Sequence, residues 1–364
     1  MIGERLQDDA GAMVGPPPLL SGFFGSVAAK TYGAVIAARN RRFDAGVGVV
    51  TFDRPVISVG NLSVGGTGKT PLVKRVCHWL TQAGLRPVIA LRGYRASLGR
   101  SDEAELYAAA LPGVPVVVGS DRAAGLSEFF GTSAGEGADC VVLDDGFQHR
   151  RIARCCDIVL VDSTRPPFTD RLLPAGWLRE PVASLARADA VVLTHGEARS
   201  RAGVVALEAR LWDVSRRFIT AATRHHWNAL RSPDGESVGV DRLRGARYML
   251  VCAIGNPSAF RAEAVRVALG EPTAELILRD HDPYGPSTIR RMMAMMAAVK
   301  PDVLLVTEKD WTKLATAMPA NEWPCPVWRP HLEIVFDRGE AALRALVIAK
   351  AMEAKDRRQL IRGR

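Results

Sequence analysis

From Arg54 onward, short unbroken apolar runs alternate with stretches of helical character. The runs are PVISVG (55–60), RPVIALRG (86–93), VPVVVG (114–119), CVVLDDG (140–146), DIVLVD (157–162) and DAVVLTH (189–195). Most are continuous Val, Ile and Leu rather than alternating. That is the pattern of parallel strands covered on both faces, because neither side of such a strand meets water. With helices between them, the runs predict an α/β fold with a doubly wound, mostly parallel sheet.

The pattern changes at FITAATRHHWNALRSPDGESVGV (218–240), where a Pro-Asp-Gly turn lies between two strand-like flanks and predicts a β-hairpin linker. A second α/β series follows in YMLVCAIGNP (248–257), ELILRDHD (275–282), DVLLVTEKD (302–310) and PVWRPHLEIV (326–335), then a helix from about Glu340 and a basic tail, KDRRQLIRGR. The expected organisation is a flexible extension over 1–18, an interfacial helix over 19–43, a nucleotide-loop domain over 44–215, the hairpin linker over 216–240, and a second, smaller α/β domain with its C-terminal helix over 241–364. The length of 364 residues suits about two domains of ~100–200 residues each.

The segment at 19–38 is the most apolar stretch near the start. Lys30 interrupts it, and its glycines and alanines dilute it below a membrane span. Asp8 and Asp9 precede it, where a signal peptide would be basic. Phe23, Phe24, Val27, Tyr32, Val35 and Ile36, followed by Arg39, Arg41 and Arg42, instead suit a helix lying in a lipid headgroup boundary; a core-packing helix with a basic end is the plain alternative. The net charge of +9 fits an acidic partner without choosing among nucleic acid, anionic membrane and phosphorylated substrate. No compact basic-aromatic nucleic-acid module is visible. The six cysteines form no CxxC pair and read as reduced thiols of a cytosolic protein.

The strongest chemical signal is VISVGNLSVGGTGKT (56–70). A strand runs through a glycine loop into a helix, so the backbone N–H groups of Gly65, Gly66, Thr67 and Gly68 can converge on phosphate oxygens. Lys69 then reaches the β- and γ-phosphates and the Thr70 hydroxyl ligates magnesium. Ser63 stands where the pattern GxxxxGK[ST] has its first glycine. The second signal is VVLDDGFQH (141–149), which delivers Asp144 and Asp145 to the carboxyl end of a strand, the ligand-binding edge of an open parallel sheet. Adjacent carboxylates there can hold magnesium, or simply form an acidic turn. Ser101-Asp102-Glu103 opens a helix and suits capping. His281, among aspartates in RDHDPY, could be a surface turn or a proton carrier. TEKD (307–310) could be a cap or a site element.

Taken in order, VGNLSVGGTGKTP, LRGYR, SDEAELYA, DDGFQH, RLLPAGWLREP, AIGNP, RDHDPY and VTEKD resemble the tetraacyldisaccharide 4'-kinases, the lipid A 4'-kinases of Gram-negative bacteria, across roughly residues 19–347. That family's loop also lacks the first glycine. The resemblance implies ATP and Mg2+ as cofactors, a lipid A disaccharide 1-phosphate as substrate, and a monomer held peripherally by anionic lipid at the cytoplasmic face of the inner membrane. By motif, Asp102 is implied to be the general base with His281 as its partner. Glu103 lies near the metal with Thr70 and Asp145, and Asp144, Asp145, Gln148 and His149 line the nucleotide site. Ser101 for glycine, and RGYR for RGYG, are departures. A MinD/ParA-like ATPase switch is the rival reading, but Val64 occupies the position of that group's signature lysine.

Overall fold

A computed structural model describes residues 22–65, 67–93, 102–280 and 282–362, with Asp102, Ala198 and residues 357–362 described by their backbone alone. The extension expected over 1–18, together with Gly66, Tyr94, Arg95, Ser101 and His281, lies outside the described residues.

In chain order the elements are α1 (Gly22–Asp44), β1 (Val56–Asn61), α2 (Lys69–Gln82), β2 (Pro87–Leu91), α3 (Asp102–Ala110), β3 (Val116–Val118), α4 (Arg122–Phe130), α5 (Ser133–Glu136), β4 (Cys140–Asp144) and β5 (Cys156–Asp162). Then come β6 (Ala190–Thr194), α6 (Arg201–Val214), β7 (Ile219–Arg231), β8 (Ser237–Val238), β9 (Tyr248–Cys252), α7 (Pro257–Ala268), β10 (Ala274–Ile277), α8 (Pro286–Val299), β11 (Val303–Val306), α9 (Glu308–Ala317), β12 (Val327–Arg338) and α10 (Glu340–Arg362).

The strands form one sheet in the order β10-β9-β11-β12-β7-β6-β5-β1-β4-β2-β3, with β8 beside β7. Every pairing is parallel except β12 with β7 and β7 with β8. Strands β1, β2, β4, β5 and β6 are buried at every residue, which is why they read as unbroken apolar runs. Strand β1 pairs with β4 on one side and β5 on the other. The winding direction reverses there, so a crevice opens at the carboxyl end of β1.

Two features depart from the sequence reading. The Pro-Asp-Gly turn does close a hairpin, but β8 is only two residues long, and the main partner of β7 is β12. Strand β12 pairs with β11 at Val327 and Trp328, then runs antiparallel along β7 from Arg329 to Arg338. The two series of strands are thereby joined into a continuous sheet. Helix α10, grouped in sequence with residues 241–364, packs back on the first series. Leu343, Val347 and Ala351 recur every four residues and share a core with Leu72, Val76 and Trp79 of α2. Lys350 pairs with Asp189 at 3.3 Å and Lys355 with Asp139 at 3.2 Å at the rim of that contact.

Helix α1 buries only Gly25, Ala29 and Ile36. Its inner face is fastened by polar contacts: the Tyr32 hydroxyl donates to the Arg179 carbonyl at 3.0 Å, and the Asn40 amide donates to Glu180 at 2.8 Å. Arg39 donates to the Gln148 carbonyl at 3.2 Å. Tyr32 and Arg39 therefore face the protein, which corrects their placement toward lipid. Phe23 and Phe24 are 76% and 75% exposed, and Val27, Val35, Arg41 and Arg42 are exposed as well.

Candidate active site

The loop between β1 and α2 sits at the reversal point of the sheet. Gly65 and Gly68 both have left-handed backbones, φ +115° and +79°. Glycine alone adopts such angles without cost, and a loop that turns its amides inward needs them. The loop is strapped from behind by the RLLPAGWLREP segment: the Val64 amide donates to the Trp177 carbonyl at 2.8 Å, and the Arg179 amide donates to the Leu62 carbonyl at 2.9 Å. Thr67 is buried, and its hydroxyl has no hydrogen-bond partner among the described residues.

The DDGFQH turn is pressed directly on β1. A Cβ on Gly60 would lie 2.6 Å from the Phe147 amide nitrogen, and one on Gly146 would lie 2.7 Å from Ser58 Oγ. Only glycine permits that approach at either position. The turn bends through Asp145, whose φ of +51° is uncommon for a residue with a Cβ, although aspartate tolerates it better than most.

This geometry brings the predicted charges together. Lys69 Nζ lies 3.5 Å from Asp145 Oδ1, and Arg179 Nη1 lies 2.7 Å from Asp145 Oδ2. Arg122, 3% exposed, donates to the Asp145 carbonyl at 3.1 Å. Burial alone would raise the Asp145 pKa, but Lys69 and Arg179 outweigh it and hold the carboxyl well below the usual carboxylate range. Asp144 behaves oppositely. It is 5% exposed, and burial raises its pKa, reinforced by the neighbouring Asp145 and opposed by Lys69 and by a 2.8 Å hydrogen bond from the Tyr107 hydroxyl. Glu103 is also raised, by burial first and then by Asp144, while Lys309 and Lys69 pull it down. The pair at 144–145 therefore holds a firm anion beside a carboxyl that takes up a proton more readily.

Gln148 and His149 take supporting positions. The Gln148 side chain donates to the Asn61 carbonyl at 2.8 Å and accepts from Arg179 at 3.4 Å, tying the end of β1 to the strap. His149 is half-buried; burial and the nearby Arg122, Arg154 and Arg151 lower its pKa to about 4, so it is neutral at pH 7. In TEKD, Thr307 caps α9, and the buried Asp310 accepts from the Ala253 amide at 3.1 Å. Lys309 pairs with Asp280 at 3.4 Å and contributes to the electrostatics of Glu103.

Tyr107, Arg122 and Arg179 were not singled out in the sequence. A signal existed for Tyr107: it lies four residues after Glu103, so both share a face of α3. The phenol thereby links α3 to Asp144 at the end of β4. Tyr107→Phe should cost about 1–3 kcal/mol, the scale for stranding a buried polar group, read as a lower thermal midpoint. Tyr107→Phe that melts like the parent would show that the bond contributes nothing.

Two acceptor oxygens in the cluster, Asp144 Oδ1 and Asp145 Oδ1, are buried without a hydrogen-bond donor among the described residues. Asp145 Oδ1 meets Lys69 only as the 3.5 Å ion pair, and carboxylate oxygens left without hydrogen bonds beside a phosphate loop suit a hard divalent cation. Among the described residues no three His, Cys, Asp or Glu side chains form a closed metal cage. Magnesium does not require one, since it keeps waters and phosphate oxygens as ligands.

The sequence profile described as Tetraacyldisaccharide-1-P 4'-kinase matches residues 23–351. Tetraacyldisaccharide 4'-kinase of Geobacter sulfurreducens is 35% identical over 329 residues, covering 84% of this chain and 88% of the relative. The enzyme of that name from an Anaeromyxobacter strain is 33% identical and covers 93% and 92%. The crystal structure of LpxK from Aquifex aeolicus in complex with ATP superposes with a TM-score of 0.66 at 28% identity, over 90% of this chain and 98% of that one. With the family profile matched over residues 23–351 and relatives of 33–35% identity covering most of both chains, this chain belongs to the tetraacyldisaccharide-1-P 4'-kinase family.

Proposed function

We propose that the chain transfers the γ-phosphoryl group of ATP to the 4'-hydroxyl of a tetraacyldisaccharide 1-phosphate, a lipid A precursor, at the cytoplasmic face of the inner membrane. The observation that carries this reading is the convergence of Lys69, Asp144, Asp145 and Glu103 at the carboxyl edge of β1 and β4, in a chain of this family.

Phosphoryl transfer needs positioning and charge neutralisation more than covalent chemistry. The loop amides and Lys69 hold the phosphates. Thr70, Glu103 and Asp145, with Asp144, would hold magnesium, which when bound supplies positive charge to the phosphate oxygens. Asp102 takes the proton of the sugar hydroxyl, and His281 orients or shares that proton. The residues flanking this pair sit on α3 and at the end of β10, elements of the two strand series. Two α/β domains facing across a cleft, with closure on substrate, fit that division.

The test is direct. Purified protein, radiolabelled ATP and a panel of lipid A disaccharide precursors are incubated and resolved by chromatography. Label on the tetraacyldisaccharide 1-phosphate is expected. ATP hydrolysis with no labelled lipid would favour the ATPase-switch reading and overturn this one.

Among the described residues no helix is long and apolar enough to cross a membrane. Helix α1 offers the alternative of peripheral contact with anionic lipid. Phe23 and Phe24 are exposed and touch each other edge to face at a ring separation of 6.0 Å, and Arg41 and Arg42 follow at the other end. Phe23→Glu with Phe24→Glu should shift the protein from the pellet to the supernatant in co-sedimentation with anionic liposomes. High salt should weaken only the arginine share. Co-sedimentation unchanged by the double substitution would refute the contact.

A further inference from the structure

The carboxyl ends of β5 and β6 and the middle of β7 lie on the side of β1 away from the carboxylate pair. They carry a buried polar cluster that the phosphate chemistry does not use. Asp162 ends β5 and is 6% exposed; His195 follows β6 and is 2% exposed. Asp162 Oδ1 accepts from the Thr164 amide at 2.8 Å and the Thr164 hydroxyl at 2.6 Å, and it lies 3.1 Å from His195 Nδ1 as an ion-pair contact. Its Oδ2 accepts from the Asn256 side-chain amide at 3.2 Å. Asn256 belongs to the other strand series, in AIGNP after β9, and its Oδ1 caps α7 by accepting from the Ala259 amide at 3.1 Å.

From Asp162 the cluster continues toward the phosphate loop. The His195 ring stands edge-on to the His225 ring, with centroids 4.3 Å apart and planes at 86°. His225 lies in β7, and its backbone amide donates to Glu197 at 3.0 Å. Its Nε2 is sealed from solvent and has no hydrogen-bond partner among the described residues. That nitrogen sits 2.9 Å from where a Cβ on Gly68 would be. At the other end of the loop, a Cβ on Gly65 would lie 3.6 Å from Arg165 Nη1 and 3.8 Å from the Gly255 carbonyl oxygen. Arg165 follows Thr164 and Gly255 precedes Asn256. Both left-handed glycines of the loop therefore abut the same cluster, one at each end.

We infer that Asn256, Asp162, His195 and His225 form a positioning network through which the second strand series sets the conformation of the phosphate loop, and with it the affinity for nucleotide. The inference rests on the proposed reading that this loop binds ATP. None of the four acts on the reacting atoms. His225 acts through Gly68, and Asn256 acts through Asp162. A loop whose amides are already held in place does not spend binding energy on being ordered, so loss of the support appears as weaker nucleotide binding rather than slower chemistry.

The charges agree with a locked network. Burial would lower the His195 pKa, but the hydrogen bond and charge of Asp162 outweigh it and raise it, with Glu197 adding to the rise and Arg165 opposing. Asp162 is held low against its own burial by His195 and Thr164. Burial, then the His195 charge, pushes His225 down to about 3, so it is neutral. The groups facing His195 are thus Asp162, Thr194, Glu197, Arg165 and His225. A raised folded-state pKa means the pair is complete at low pH and is lost as pH rises through that value. KM for ATP should therefore climb on the alkaline side in the parent protein, and His195→Asn should remove that climb.

The deciding experiment measures ATP affinity by calorimetry, and KM and kcat for ATP with lipid substrate, on the full chain. His225→Ala opens space behind Gly68 and should raise KM and Kd for ATP by roughly tenfold, with kcat within about threefold of the parent. His225→Gln retains bulk there and should recover most of the loss. Asn256→Ser keeps a residue that caps α7 well but withdraws the amide from Asp162; it tests the network even where His225→Ala fails to fold. It should weaken ATP without touching the loop, and the two losses should combine to less than their product. Lys69→Ala is the control. ATP affinity that responds to Lys69→Ala but to neither His225→Ala nor Asn256→Ser overturns the network alone. ATP affinity indifferent to all three overturns the reading of the loop itself. Equal losses in kcat and unchanged KM would mean a merely structural cluster and would also overturn the inference.

Discussion

Lys69→Ala should reduce phosphoryl transfer by at least about two to three orders of magnitude, the loss seen when one preorganised charge-stabilising donor is removed from an active site. The side chain leaves the first turn of α2 and reaches Asp145 at 3.5 Å, and it is 17% exposed. It is therefore fixed beside the carboxylates before any phosphate arrives. Its removal does two things. The transferring phosphoryl group loses its nearest fixed cation. Asp145 also loses one of two cationic neighbours, although Arg179 remains at 2.7 Å and keeps it anionic. The negative charge left facing the phosphate then opposes nucleotide entry, so KM should rise together with the fall in kcat. The alanine protein should fold, because α2 is anchored by Leu72, Val73, Val76, Cys77, Trp79 and Leu80 on its other face. Near-normal turnover in that folded protein would remove the loop from the mechanism.

The parts of this fold that were legible in the sequence are those whose cause is local. Strands β1, β2, β4, β5 and β6 are buried on both faces, so each reads as an apolar run by itself. The phosphate loop and the DDGFQH turn carry their glycines for reasons of backbone contact with their immediate neighbours, and both stand out as motifs. Strand β12 was not legible in the same way. Its twelve residues mix buried Val327, Arg329 and Ile334 with exposed Glu333 and Asp337, because it changes partner from β11 to β7 partway along. No periodicity announces that change. Helix α10 has the apolar spacing of a packed helix, but nothing in Leu343, Val347 and Ala351 says which layer they cover.

The same distinction runs through the site. Lys69 and Asp145 are found by motif. Arg179 is found only in the structure, since it reaches Asp145 from a strap 34 residues away. The cluster of Asp162, Thr164, His195, His225 and Asn256 is drawn from the ends of β5 and β6, the middle of β7 and the cap of a helix, and each member looks ordinary in its own segment. Arg39 shows the converse hazard: a cation next to an apolar helix suggested lipid, yet it is turned inward against the Gln148 carbonyl and, at 3.9 Å, Glu180.

Asp102→Ala should slow turnover by about two to four orders of magnitude, the range for loss of a general base, with ATP affinity largely kept, and His281→Ala should slow it through the same step. The sugar hydroxyl is a weak nucleophile, and a carboxylate that accepts its proton as the bond to phosphorus forms lowers that barrier. Asp102 is the first residue of α3. That helix is pinned to the site by the 2.8 Å bond from Tyr107 to Asp144. His281 follows Asp280, and Asp280 pairs with Lys309 at 3.4 Å. Lys309 in turn lowers the pKa of Glu103, the neighbour of Asp102. Lys309 thus acts on the charge of both Asp280 and Glu103, the chain neighbours of the proposed partner and base. Two groups that pass one proton act as a unit, so the double variant should be little slower than the slower single variant. The measurement is a double-mutant cycle on kcat, with nucleotide affinity followed separately. Losses that multiply fully would show that the two residues act independently. A lowered thermal midpoint for Asp102→Ala, with turnover per folded molecule preserved, would reduce Asp102 to a helix cap.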